Sequence, residues 1–395
     1  MSTTPTRINL KPYRLLYWPF LLPVALLIAL FNKISPVPFK IYALRVNRIG
    51  QMAGNQEELC CQLDLGLLPR EFRVFIHRDR PCNTVLLDMQ KRILPIRNAF
   101  LPLFDVCHKL GGLGVSSMEI ERYLGQDWEQ WVPRTPRHLS FSEAETTEAK
   151  RQCRELGIDP DAPFVPVLSR DISYLAHIKE PTDNDSYRND DINTYIPAME
   201  FLADNWKVVR MGSVVGTELN TVHPGIIDYS RSGKRSELLD VYLSAQCAFF
   251  LSCATGLDAI ASCCFRRPVL YVNFLPVSNA PILKPGSILI PKKFWHRKER
   301  RYLKLSELIR SGAWDMLLPR HLDPLDIEIH TNSADEIHAV TEEMYARLQG
   351  TWTETEEDRE NQKRFWSQYA KFSPNYKCVG LIGRDFLREN PNWME

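Results

Sequence analysis

Two short segments hold the residues best suited to chemistry. Ser169-Arg170-Asp171 follows the apolar run FVPVL, and SCATGLD, Ser252 to Asp258, follows AFFL. A guanidinium presents a planar fork of donors that matches phosphate oxygens. Placed just beyond a parallel strand, where open α/β sheets bind ligands, Arg170 would form a diphosphate clamp; a local Arg-Asp pair closing the strand is the plainer alternative. In the second segment, free amides and a positive helix end would make an anion site. Ser252 and Thr255 add hydroxyls there, and Gly256 permits close approach. Asp258, one turn in, stabilises a helix start but repels phosphate, so it suits a ribose or sugar hydroxyl. Helix capping alone would also explain this segment.

Three further stretches carry candidate groups. RIGQMAGNQEE, Arg48 to Glu58, offers a turn at Gly50 and Gly54, with Asn55, Glu57 and Glu58 for hydrogen bonding or acid/base work. It matches neither a dinucleotide fingerprint nor a P-loop, and a structural strand-to-helix turn is its plainer reading. In YRNDD, Tyr187 could stack on a base and Arg188 meet a phosphate, while Asp190 and Asp191 could be helix-start charges. KKFWHRKERRYLK, Lys292 to Lys304, reads as a solvated basic loop, with a membrane or polyprenyl-phosphate contact second. The acidic triplet Asp183 to Asp185 lacks supporting metal ligands. His77, His108, His177 and His223 are isolated and read as structural. No GxSxG, HExxH or kinase signature occurs.

These groups need a scaffold, and the chain is long enough for two α/β domains at 395 residues. A net charge of +1 excludes a nucleic-acid binder driven by overall basicity. The ten cysteines form no CxxC pair, which fits reduced, packed thiols and no zinc site. Residues 1–35 stand apart: Leu15 to Phe31 is uncharged, after Arg7, Lys11 and Arg14 and before Lys33. That run is short for a span and holds Pro19 and Pro23. Membrane attachment, in a hairpin-like or monotopic manner, is therefore expected, ahead of packing on the protein's own surface.

Residues 36–160 read as an N-terminal domain. KIYALRVN starts it as a strand, a glycine-containing loop and a helix follow, and FRVFIHRD and NTVLLDMQKR are expected to supply strand-rich units. Ser142 and Glu145 form a capping box before the boundary. Residues 161–350 read as a second domain, with short, continuously apolar strands KVVRM, AFFLS and VLYVN suited to a sheet buried on both faces. Its helices include TYIPAMEFL, with Pro197 in the first turn, and a later one capped by Ser333 and Glu336. Residues 351–395 form a C-terminal helical extension.

Taken in order, RIGQMAGNQE, YRNDDINTYIPAMEFLADNWKVVRMG, FFLSCATGLDAIASCCFRRPVLYVN and NSADEIHAVTEEMYARLQGTW resemble a bacterial glycosyltransferase family. That family looks like GT-B enzymes, distantly similar to the fucosyltransferase-like branch. The resemblance implies an α/β fold of two Rossmann-like domains facing a cleft, with the nucleotide-sugar donor on the C-terminal one. It also implies metal-independent transfer without a cofactor, to a surface-glycan or lipid-linked acceptor at the cytoplasmic face of the bacterial inner membrane. The residues it carries over are Arg48, Gly50, Gly54, Asn55 and Glu57 on the acceptor side, and Arg170, Asp171, Tyr187, Arg188, Asp191, Arg210, Gly212, Thr255, Gly256 and Lys292 on the donor side. Glu57, then Asp171, is the expected general base, and Arg170 the neutraliser of the leaving diphosphate, helped by the Ser252–Gly256 turn. Relatives often carry a histidine where this chain has Leu168, a departure that fits one alternative, a non-catalytic nucleotide- or glycan-binding protein; the other alternative is another transferase on the same scaffold.

Overall fold

The computed structural model describes residues 17–117, 129–173, 186–371 and 379–395. Arg7, Lys11, Arg14, His177 and the Asp183 to Asp185 triplet lie outside the described residues. Helix α1, Trp18–Ile34, begins with Pro19 in its first turn and accommodates Pro23 further along. Among the described residues no helix is long and apolar enough to cross a membrane.

The first α/β unit has three parallel strands, β1 (Phe39–Leu44), β2 (Phe72–His77) and β3 (Ser116–Ser117), in the order β2-β1-β3. Alternation along β1 sends Ile41 and Ala43 to a core with α1 and α4 (Leu101–Lys109). Tyr42 and Leu44 face the other way, toward α2 (Ile49–Asp64) and α3 (Thr84–Lys91). Two expectations are corrected here. Gly50 and Gly54 lie within α2 rather than in a loop, because the chain turns straight from β1 into the helix. NTVLLDMQKR is the helix α3, not a strand. Its Leu, Met, Gln and Lys are good helix formers, and the Asn83 side chain accepts from the Leu86 amide at 2.8 Å as its cap.

The second unit is a seven-stranded, all-parallel sheet in the order β13-β9-β8-β7-β4-β5-β6. Its strands are β4 (Phe164–Leu168), β5 (Lys207–Arg210), β6 (Ile226–Asp228), β7 (Phe250–Ser252), β8 (Val269–Phe274), β9 (Ile288–Pro291) and β13 (Leu381–Ile382). All six residues of β8 are buried, each large apolar one stabilising the fold by about 1.5–3 kcal/mol. Helices α5 (Glu143–Glu155), α6 (Ile196–Ala203), α7 (Glu237–Gln246), α8 (Ala334–Gln349) and α9 (Glu356–Ala370) belong to this unit. The Ser142–Glu145 and Ser333–Glu336 boxes both form, and Pro197 sits in the first turn of α6. Strand β13 shows that the C-terminal residues complete the same sheet rather than forming a purely helical extension.

The basic stretch from Lys292 is not a loop. Strands β10 (Lys293–His296), β11 (Arg301–Tyr302) and β12 (Ile327–His330) form a small antiparallel sheet. Its cations pair with carboxylates, Lys293 with Glu336 and Arg301 with Glu307, so much of the basic charge is locally neutralised.

Candidate functional site at the strand switch point

From β4 the chain builds outward to β5 and β6, then crosses back so that β7 lies on the other side of β4. The strand order reverses there, and in open α/β sheets the crevice beyond the strand ends at such a switch point is where ligands bind. Arg170 lies at its edge. Its amide donates to Cys253 Sγ at 3.1 Å, and its carbonyl accepts from the Asp190 amide at 3.1 Å. Arg188 reaches the neighbouring residue, with Nη2 donating to the Ala254 carbonyl at 2.5 Å. The Arg170 backbone and the Arg188 guanidinium thus meet the chain at adjacent residues, Cys253 and Ala254. Ala254 has φ of 61°, a left-handed conformation that costs a residue with a Cβ and that concentrates at functional loops.

The first unit closes the crevice. A Cβ built on Gly50 would lie 2.8 Å from the Gly256 Cα, so the start of α2 rests on the loop after β7. Arg48, at the N-cap of α2, makes no side-chain cap bond. The amino end of α2, which carries the helix's partial positive charge, thus lies beside that loop.

The turn after β7 is not a vacant anion site. Asp258 occupies it: its carboxylate accepts from Ser252 Oγ at 2.5 Å, from the Thr255 amide at 3.1 Å and from the Gly256 amide at 3.2 Å. Burial pushes the Asp258 carboxyl up, opposed by these three donors. The expected phosphate contacts of Ser252, Thr255 and Gly256 are corrected accordingly, because the fold's own carboxylate takes those donors. Thr255 Oγ1 lies 3.4 Å from Ser252 Oγ.

Other predicted donor-side residues shape the crevice from behind. Lys292, 1% exposed, pairs with Asp190 at 2.6 Å and donates to the carbonyls of Tyr187 at 2.7 Å and Asn189 at 3.1 Å. It anchors the segment bearing Tyr187 and Arg188 instead of meeting a ligand. Burial pushes the Asp190 carboxyl up, opposed by Lys292. Asp191 accepts from the Asn193 amide at 2.9 Å, a helix-start role. Arg210, 2% exposed, pairs with Asp228 at 3.0 Å and donates to the Thr217 carbonyl at 2.7 Å. Asp171 accepts from the amides of Ser173 at 2.8 Å, Gly216 at 2.7 Å and Thr217 at 3.1 Å. Its burial raises the carboxyl, yet the amides outweigh it and hold the pKa below the usual range. Arg210 and Asp171 therefore grip Thr217 from its two polar sides. Gly212, with φ of 148°, leads into that loop, where a Cβ would meet Val215 Cγ1 at 2.6 Å.

Glu57 is the largest correction. It lies two turns along α2, 2% exposed, and pairs with Arg266 Nη1 and His138 Nδ1, both at 2.8 Å. His138 Nε2 in turn meets Asp64 at 3.0 Å. Glu57, Cys61 and His138 bring potential metal-ligand atoms within 4.8 Å of one another, but the Arg266 guanidinium already balances the carboxylate. Asn55 and Gly54 also lie along α2, beyond its contact with Gly256. The partners His138 and Arg266 were missed in the sequence, where no local spacing links either to Glu57. Asp190, expected as a helix-start charge, instead pairs with Lys292, and Cys253, inside the SCATGLD segment, accepts from the Arg170 amide.

The fold and site define a two-unit α/β protein whose basic crevice opens at a strand switch point. No protein-family model matches the chain, and no curated protein does. Solved structures similar to it include the E. coli ADP-heptose LPS heptosyltransferase II, at 15% identity and TM-score 0.35 over 59% of this chain and 85% of that one. Another is the glycosyl transferase family 9 protein from Veillonella parvula DSM 2008, at 8% identity and TM-score 0.38 over 60% and 81%. Similarity this low assigns no activity, and the functional reading rests on the crevice itself.

Proposed function

We propose that the protein transfers a sugar from a nucleotide-sugar donor to a surface-glycan or lipid-linked acceptor, on a GT-B-like arrangement of its two units. The observation that carries this reading is the meeting of the Arg170 backbone and the Arg188 guanidinium at Cys253-Ala254, on the loop that also contacts the start of α2. Two guanidinium groups and a helix dipole suit a diphosphate whose charge grows as the sugar leaves. Protein cations take the neutralising role in this proposal, so transfer proceeds without a metal ion. Glu57 is not part of it, since Arg266 and His138 hold its carboxylate. The cytoplasmic face of the bacterial inner membrane is the proposed location.

A thermal-shift screen with a panel of nucleotide sugars tests the reading. A ligand at 100 times its Kd stabilises by about 2.7 kcal/mol, so the right donor should raise Tm visibly, and Arg170→Ala should abolish the rise. No shift with any donor, together with cellular glycans unchanged in Arg170→Ala, sinks it. A second reading, binding without transfer, is favoured by one observation: both carboxylates expected as bases, Glu57 and Asp171, are engaged by the fold. Intact-mass analysis of acceptor incubated with the donor separates the two.

A further inference from the structure

We propose that α1 seats the first unit on an anionic lipid surface, lying in the plane of the interface. The inference extends the proposed action on a lipid-linked or surface acceptor by naming the face that meets the bilayer.

One side of α1 is fixed to the protein. Trp18, Leu21, Ala25, Ile28 and Ala29 pack into the core shared with β1 and α4, and Ala25 has no exposure. Asn32 Nδ2 donates to the carbonyls of Phe39 at 2.8 Å and Gly114 at 3.0 Å, and its Oδ1 accepts from the Phe39 amide at 2.8 Å. A helix held this way along its length lies on the protein.

The opposite side is apolar and uncovered. Phe20, Val24, Leu27, Phe31 and Ile34 recur at spacings of three and four, which places them on one face. Phe20 is 76% exposed, Leu27 67% and Ile34 79%. Seventeen residues make a stripe about 25 Å long. An apolar stripe of this kind, large for a free surface, marks a binding face.

Charge selects the occupant. Residues 1–34, which end with α1, contain Arg7, Lys11, Arg14 and Lys33 and no Asp or Glu, although the whole chain has 49 bases and 48 acids. The Lys109 ammonium lies over the Trp18 ring, 5.6 Å from its centre, adding a cation beside the helix. Basic residues flanking an apolar helix in the sequence, with no acids among them, fit anionic headgroups. A second copy of the chain would bring the same cations together, which disfavours self-pairing through α1. Because α1 lies on the β1 face away from α2, the docked surface is remote from the Gly50–Gly256 contact.

Flotation of the full chain with vesicles is the test. Wild type should float with vesicles containing phosphatidylglycerol and less with phosphatidylcholine alone, and salt should weaken the binding. The double variant Phe20→Glu/Leu27→Glu should lose ~100-fold or more in partitioning. Val222→Glu, the same change at a fully exposed site elsewhere, should float like wild type. The proposal is overturned if wild type stays unbound, or if the double variant floats normally. It is also overturned if light scattering shows a dimer that the double variant splits while vesicles bind neither form. The nucleotide-sugar thermal shift, read on the same proteins, reports separately: its absence with flotation intact defeats sugar transfer and leaves the docking face standing.

Discussion

Gly50 and Gly256 meet backbone to backbone, and this contact joins the start of α2 to the loop at the strand switch point. A Cβ on Gly50 would intrude to 2.8 Å from the Gly256 Cα, and Gly256 adopts φ of 98°. Glycine is required on both sides for different reasons, space at one and backbone conformation at the other.

Gly50→Ala should therefore destabilise the protein by about 1–3 kcal/mol, the usual range for forced overpacking. Gly256→Ala should cost a similar amount or more, since left-handed strain adds about 1–3 kcal/mol. Gly54, inside the same helix, has nothing within 4 Å of a Cβ. Gly54→Ala should be neutral or stabilise by up to about 1 kcal/mol. Urea denaturation of the three variants compares them, and a loss at Gly54 matching that at Gly50 would contradict the contact.

Removing Asp258 should unpair the donors it now occupies. Asp258→Ala should destabilise by about 1–3 kcal/mol, because Ser252 and two amides lose their acceptor. Sulfate should then raise the Tm of the variant more than that of wild type. Equal sulfate effects on both would show that the turn cannot accept an outside anion.

Lys292→Met should cost about 3–5 kcal/mol by leaving Asp190 buried without its cation. Burial already raises the Asp190 pKa, and losing Lys292 raises it further. The folded variant then holds a proton that the unfolded chain releases, so its stability is greatest below the unfolded carboxylate value of about 3.9 and falls as pH rises through the folded one. Adding Asp190→Asn should recover part of the loss and flatten this pH slope. Denaturation curves across pH decide it.

His138 gives the opposite residue type with the same sign. The Glu57 hydrogen bond is the chief cause of its raised pKa, with Asp64 adding to it against partial burial. Its contribution is fully present below the unfolded histidine value of about 6.5 and is lost as pH rises through the folded value. The stability gap between wild type and His138→Gln should thus shrink from mildly acidic toward alkaline pH. A gap independent of pH would show that His138 is neutral in the fold.

The sequence alone determined the features whose causes are local or periodic. Runs such as FVPVL and VLYVN read correctly as strands because burial on both faces leaves a continuous apolar signature. Ser142 with Glu145 and Ser333 with Glu336 formed their boxes because both partners lie within one turn. NTVLLDMQKR misled because a short apolar run carries little periodicity, and the Asn83 cap was its overlooked clue. Tertiary structure alone decided which charged groups face the crevice. Arg170 follows β4 and Arg210 ends β5 of the same sheet, yet Arg210 is buried against Asp228 while Arg170 edges the switch point. Glu57 likewise turned from a candidate base into an ion-pair partner because packing the two units brings Arg266 and His138 to it. A charge takes the nearest opposite charge in space, and strand order and packing, rather than spacing along the chain, set that neighbour.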